Sequence, residues 1–292
     1  MNKGVLYAIG AYLVWGFLPL YWHALYHVPA LEILANRMVW SLGFVLLVLA
    51  YRRQWRWLSV VLRQKRTLLI YLLTASVLAV NWGVYIWAVN ADHVVETSLG
   101  YFINPLISVL MGVLFLRERL RRGQWVAVAL AAAGVLYLTL IYGRLPWIAL
   151  VLAFSFGFYG LIRKQGPLGG LEGLTLETGW LFIPASVAIV YWQSQGMGAL
   201  GTVDTATTFL LVFTGVATAV PLLWFGMAAK RIPLSTIGIL QYIAPTFQFM
   251  LGVFWFHEPF DQAQLVGFLL IWAALAIYSG EGYWRYRLLR HA

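Results

Sequence analysis

"NPLISVLMGVLFLRE" at residues 104–118 has a counterpart in "APTFQFMLGVFWFHE" at residues 244–258. Each stretch carries a proline, a glycine seven residues later and a glutamate six beyond that. Pro105, Gly112 and Glu118 thus recur as Pro245, Gly252 and Glu258, at an offset of 140 in a chain of 292 residues. The same offset pairs Leu31, Glu32 and Leu34 with Leu171, Glu172 and Leu174, and Trp40 with Trp180. It also pairs Tyr51 with Tyr191, Thr74 with Thr214 and Gln124 with Gln264. Coincidences among Leu, Val and Ala are cheap in an apolar chain, whereas paired Glu, Trp, Pro and Gln are not. The pattern is that of an internal duplication.

The class of protein follows from composition. Hydrophobic residues make up 62% of the chain and charged residues 10%, with a mean hydropathy of +0.80. A soluble domain carries roughly 25% charged residues, so this chain has too little charge to cover a water-facing globule. It reads as an all-α polytopic membrane protein. Ten apolar stretches approach the ~20 residues that span a bilayer as a helix. They lie near 4–22, 31–51, 68–90, 94–116, 123–142, 145–163, 172–192, 207–229, 233–256 and 262–283. Period-two alternation is absent, which argues against a barrel. No segment between the stretches is long enough for a separate soluble domain.

A net charge of +10 raises the question of nucleic acid, but the distribution answers it differently. Threading ten spans puts 18 of the 20 Lys and Arg on one side: Lys3, the 52–66 loop, the 117–122 loop, Arg163 and Lys164, Lys230 and Arg231, and the tail. Arg144 falls on the other side and Arg37 inside a span. This asymmetry predicts that both termini are cytoplasmic. The expected partners are a small-molecule substrate and the lipid bilayer, not nucleic acid. The 52–66 loop, "RRQWRWLSVVLRQKR", interleaves bases with Trp55, Trp57, Leu58 and Leu62 and reads as a short interfacial helix on an anionic leaflet. The chain has no cysteine, hence no disulfide or thiolate metal site. His23, His27, His93 and His257 fall near outer span edges and His291 in the tail, without metal-ligand spacing, so no cofactor is expected. The N-terminal apolar run continues beyond a signal-peptide core and reads as a retained span.

Five spans per half is an odd number, so the second copy would lie upside down. The expected halves are residues 1–142 and 143–292. Inverted repeats are the architecture of many secondary transporters, with substrate near the midplane between them. Pro105 has no N–H for the carbonyl of Tyr101, and Pro245 none for that of Gln241. Freed backbone at this depth is tolerated beside a wet cavity or inside protein. The two prolines therefore mark either helix kinks that face an inter-repeat cavity or kinks satisfied by a neighbouring helix. Gly112 and Gly252 read as sites of close helix contact. Glu118, between Arg117 and Arg119, reads as a solvated charge.

These residues carry a resemblance. "NWGVYIWAVNADHVVETSLGYFINPL" at 81–106, "LQYIAPTFQFMLGVFWFHEP" at 240–259 and "LEILANRMVWS" at 31–41 closely resemble the RarD-type branch of the EamA transporters, in the drug/metabolite transporter superfamily. The likeness covers essentially the whole chain. It implies ten transmembrane helices in two inverted five-helix repeats, and export of small metabolites or drugs across a bacterial cytoplasmic membrane.

Among candidate site residues, Arg37 lies ~9 Å into its span at 1.5 Å per residue. Intramembrane charges usually face the bundle interior or a cavity, and a guanidinium there suits two-point contact with a substrate carboxylate. Snorkelling to the interface is the alternative. Its repeat partner is Glu177. A carboxyl at that depth either carries a coupled proton or serves as a structural hydrogen-bonding group. Asn81 and Tyr85 lie one turn apart, and with Tyr101 they reach the depth of Arg37. Asn104, Gln241 and Tyr242 fall nearer the midplane. Trp15, Trp82 and Trp180 are deep enough to stack on a flat substrate or to pack in the core. Glu96 reads as a partner for Arg37 or as solvated. No Walker-type glycine loop is present, and no nucleophile–base pair or ligand cluster points to a membrane-embedded enzyme. The reading is a secondary transporter, with an enzyme or a non-transporting scaffold as the alternatives.

Overall fold

The computed structural model describes the backbone of residues 2–91, 93–143, 145–257 and 262–291, without the side chains of Asn90, Val94, Val95, 262–264 and 282–291. Glu258 and Arg144 lie outside the described residues, as do the side chains of the repeat partner Gln264 and of the basic tail with His291. The helices are α1 (Lys3–Ala24), α2 (Ala30–Arg52), α3 (Arg56–Val61), α4 (Lys65–Asn90), α5 (Val94–Leu116) and α6 (Arg122–Tyr142). They continue as α7 (Trp147–Gln165), α8 (Gly170–Ser194), α9 (Thr205–Ala229), α10 (Leu234–Gln241), α11 (Ile243–Phe254) and α12 (Gln262–His291). Among the described residues, nine helical stretches are long and apolar enough to cross a membrane, with α10 and α11 counted together as Leu234–Phe254. The apolar part of α12 that is described is Leu265–Glu281.

Local chemistry sets the helix ends. Arg53, Arg117 and Gly143 adopt left-handed backbone (φ 52, 55 and 76) just past α2, α5 and α6, a common helix stop. Asp204 caps α9, accepting from Thr207 N at 2.8 Å and Thr207 Oγ1 at 2.7 Å. Those bonds to the charged form hold its carboxyl below the ordinary range. The expected span at 233–256 divides at Tyr242 into α10 and α11. Pro245 cannot donate to Gln241, and the Tyr242 N–H instead closes a tighter turn onto Ile239 O at 3.2 Å. At the matching position α5 runs through Pro105 without interruption. The 52–66 loop does form a short helix, α3. It buries Val61 against Tyr71 and Leu176 with Trp57 packed beside them, and leaves Trp55, Val60 and Leu62 exposed.

Helices of the first half pack chiefly on helices of the second. α5 lies on α7 and α10, α2 on α8 and α9, α1 on α9 and α11, α4 on α7 and α8, and α6 on α12. Gly215 of α9 sits so close to the Trp40 backbone of α2 that a Cβ there would overlap it, and Ser41 Oγ donates to Gly215 O at 3.2 Å. Such small-residue contacts replace the hydrophobic effect as the source of helix association in lipid.

Three glutamates of the first half cross to backbone amides of the second. Glu32 accepts from Ala199 N at 2.6 Å and Leu200 N at 3.3 Å. Glu96, buried, accepts from Ile148 N at 2.8 Å and from the Tyr142 hydroxyl at 2.8 Å. Glu118 accepts from Leu234 N at 2.7 Å, Ser235 N at 2.9 Å and Ser235 Oγ at 2.7 Å. Two expectations are thereby corrected: Glu118 is not a solvated charge, and Glu96 is neither solvated nor the partner of Arg37. The reason lies in the helices they meet. α7 and α10 begin after Pro146 and Pro233, which offer no side-chain cap, so their first N–H groups need acceptors from elsewhere. A carboxylate there also complements the helix dipole. Gly112 makes room for this, since a Cβ on it would meet Glu118 Oε2 at 2.6 Å and Ser235 N at 3.0 Å.

The turns after α7 and α9 are tied in the same manner. Lys164 Nζ donates to Ala229 O at 3.1 Å and Ile232 O at 2.6 Å. Lys230 Nζ donates to Lys164 O at 3.1 Å and to Gly166 O. Each ammonium thus satisfies the terminal carbonyls of the other helix. Burial, with Arg163 and Lys164 nearby, pulls the Lys230 ammonium below its ordinary pKa.

Candidate substrate site

Arg37 sits in the second turn of α2 and is held by three other helices. Its Nε donates to Thr218 Oγ1 of α9 at 2.9 Å. Its guanidinium carbon lies 4.9 Å from the ring centre of Trp22 on α1 and 4.7 Å from that of Trp82 on α4, within cation–π range. The side chain therefore turns toward α1, α4 and α9, into the bundle. Among the described residues, Nε alone has a hydrogen-bond acceptor, so both Nη groups remain open. Tyr85 and Tyr101 are near enough to interact electrostatically with Arg37, and their rings meet edge to face at 6.0 Å. Arg37 and Tyr85 are half-buried and Tyr101 is exposed, so indole and phenol rings gather around one cation.

The other candidates are placed differently. Asn81 lies a turn before Tyr85, but its Nδ2 donates to Leu152 O at 2.9 Å and Ser155 Oγ at 2.8 Å, joining α4 to α7. Trp15 packs against Tyr12, Phe156 and Phe225, in aromatic core. Trp180 is exposed. Gln241 and Tyr242 bind the crossing of α5 and α10. Ser108 Oγ donates to Gln241 Oε1 at 3.4 Å, and the buried Tyr242 hydroxyl donates to Phe102 O at 3.1 Å. Asn104 is 6% exposed, and its Oδ1 has no partner among the described residues.

Glu177 belongs to a second polar cluster. It is fully buried, accepts from the Tyr159 hydroxyl at 3.2 Å and lies 3.6 Å from Arg163 Nε. Arg163 Nη2 donates to Gly170 O at 3.0 Å. The backbones of Gly173 and Gly226 close around the guanidinium, where a Cβ on either would overlap it. Arg163 is thus corrected from a loop base to a buried ion-pair partner. Its countercharge and a lining of glycines make that burial tolerable. Arg163 Nε and Nη1 and Glu177 Oε1 have no hydrogen-bond partner among the described residues.

Trp22, Thr218 and Arg163 were not singled out from the sequence. Arg163 had a signal: a carboxylate at the depth of Glu177 calls for a cation, and Arg163 ends the preceding helix at the same end of the bundle. Trp22 and Thr218 had none, being one indole among 15 and one hydroxyl in an apolar helix.

Comparison with known proteins agrees with this architecture. The profile of the EamA-like transporter family matches residues 2–140. Protein RarD of Streptomyces exfoliatus is 55% identical over 96% of this chain and 89% of its own length. An uncharacterized transporter of Bacillus subtilis, YojE, is 47% identical over 95% and 94%, and Protein RarD of Escherichia coli is 42% identical over 95% and 94%. A solved crystal structure shares the fold with a TM-score of 0.71 at 19% identity, covering 94% of this chain and 97% of its own. With apolar helices along its length and this degree of identity to RarD proteins and to YojE, the chain belongs to the RarD branch of the EamA-like transporter family, within the drug/metabolite transporter superfamily.

Proposed function

We propose that the protein is a secondary transporter that exports small amphipathic carboxylates, amino acids or acidic drugs among them, across the bacterial inner membrane by alternating access. The observation that carries the reading is Arg37, an inward guanidinium whose faces are covered by Trp22 and Trp82 and whose Nη groups are open. Planar, paired N–H donors match the two oxygens of a carboxylate, and the surrounding rings suit an apolar body. Proteoliposomes test this with 3-phenylpropionate and its uncharged amide, 3-phenylpropanamide. The native protein is expected to move the carboxylate and not the amide. Equal rates for both, or movement of neither, overturn the carboxylate reading.

Ten spans in two inverted halves, 1–142 and 143–292, belong to the same reading. Exchanging each helix for its counterpart 140 residues away interconverts the packing pairs. α5 on α7 becomes α10–α11 on α1, α1 on α9 becomes α7 on α4, and α2 on α9 becomes α8 on α4. That correspondence supports the inverted repeat, as does a family match that ends near residue 140. Both termini are then cytoplasmic. Reporter fusions at either end are expected to be active only in the cytoplasm, and an external reporter overturns the topology.

Energy comes from the proton gradient through Glu177. Its carboxyl, ion-paired to Arg163 through Oε1, is the group that takes the proton. Neutralising it leaves Arg163 without its countercharge and loosens α7 from α8. An imposed pH gradient is expected to drive uphill movement of 3-phenylpropionate in the native protein. In Glu177→Gln, equilibrium exchange persists while uphill movement is lost, a split that mere instability does not produce. Uphill movement that survives in Glu177→Gln removes this residue as the carrier.

A further inference from the structure

We infer that Thr218 is the positioning residue of the substrate site. Its hydroxyl, supplied by the second half of the chain, sets the Arg37 guanidinium so that a substrate carboxylate is met by the two Nη groups. The inference rests on the carboxylate reading of Arg37 and adds what aims it. An arginine presents five N–H donors along two edges of a plane. At Arg37 the edge that includes Nε is engaged by Thr218 Oγ1 at 2.9 Å, so a carboxylate is offered the end of the fork and not its side. Trp22 and Trp82 hold the plane between α1 and α4, and Thr218 fixes the rotation within it. Thr218 is 2% exposed, so the hydroxyl is itself held by packing and makes a firm reference point.

The contact joins helices from opposite halves of the chain, which alternating access by rocking of one repeat against the other would move apart. Arg37 rides on α2 and Thr218 on α9, and one turn away Ser41 and Gly215 bond the same two helices at 3.2 Å. While α2 and α9 are packed, the guanidinium is aimed. When they part, it loses its reference and samples more rotamers, so carboxylate affinity falls in the state that must release substrate. Binding and access are linked through one hydroxyl.

Thr218→Val keeps the shape and removes the acceptor. In proteoliposomes carrying 3-phenylpropionate, its KM is expected to rise about tenfold, the scale of one hydrogen bond to a charged group, with maximal rate little changed. Thr218→Ser retains the hydroxyl and is expected to retain the native KM. In an Arg37→Lys background, which has no Nε–H to aim, adding Thr218→Val is expected to change KM by less than about twofold, the signature of coupled residues. An unchanged KM in Thr218→Val overturns the inference, as does an equal rise in the Arg37→Lys background, which marks a packing role. If the native protein moves no 3-phenylpropionate, the carboxylate reading falls and takes this inference with it.

Discussion

Arg37→Ala is expected to abolish carboxylate transport while leaving the protein in the membrane. Two charge-assisted hydrogen bonds at roughly 1.5–3 kcal/mol each are removed. The corresponding loss of affinity, on the order of a hundredfold or more, puts uptake at ordinary substrate concentrations below detection. Folding should tolerate the change. Among the described residues the side chain makes one hydrogen bond to protein, through Nε to Thr218, and a central arginine costs at least ~2.5 kcal/mol on insertion, so its removal favours the inserted state. Arg37→Lys is expected to recover part of the activity, because an ammonium keeps the charge but lacks the planar fork. Uptake assays with 3-phenylpropionate, normalised to protein extracted from the membrane, check both variants. A native KM in Arg37→Ala removes the residue from the substrate site.

The second large effect is on stability. Arg163→Ala is expected to destabilise the folded protein by about 3–5 kcal/mol, because it strands the Glu177 carboxylate in the bundle without a countercharge. Both side chains of the pair are 1% exposed, so water does not take over the lost partner's part. Replacing both, as Arg163→Met with Glu177→Leu, is expected to restore stability to within about 1 kcal/mol of native, since a buried pair exchanged for apolar groups is often neutral. Thermal unfolding in detergent, followed by tryptophan fluorescence, measures the three proteins side by side. A double variant no more stable than Arg163→Ala shows that the loss comes from packing against Gly173 and Gly226 and not from charge. Glu177→Gln, which keeps an acceptor for Tyr159, is expected to fall between native and Arg163→Ala.

The membrane class and the positions of the apolar stretches were legible because hydrophobicity is a local property, carried by each window of residues. Pro245 was legible for the same reason, since a missing N–H acts on a carbonyl four residues away. Pro105 shows the limit, as the same residue in the matching place leaves α5 unbroken. Glu118 was misread because its neighbours in sequence, Arg117 and Arg119, imply water, while its partners are the amides of Leu234 and Ser235 more than a hundred positions on. A backbone N–H has no residue type and leaves no trace in the letters. Arg163 was hidden by its position beside Lys164 at a helix end, which fits a loop base as well as a buried one. For Arg37, depth alone was enough to suggest an inward charge. The identity of the groups that hold it, Trp22 and Thr218, depends on which helices meet.

The dependence of each half on the other has a consequence for how the molecule is made. A ribosome adding roughly 5–20 residues per second finishes α6 roughly 7–30 s before α12 is complete. During that interval the surfaces of the first half are covered one after another, in chain order. Glu96 meets the Ile148 amide first, Glu32 waits for Ala199 and Arg37 for Thr218, and Glu118 waits longest, for Leu234 and Ser235. Lipid permits the wait, because each helix already satisfies its own backbone. Assembly is thus stepwise and completed only with α12, and the partly covered first half is the species that membrane chaperones and proteases would meet.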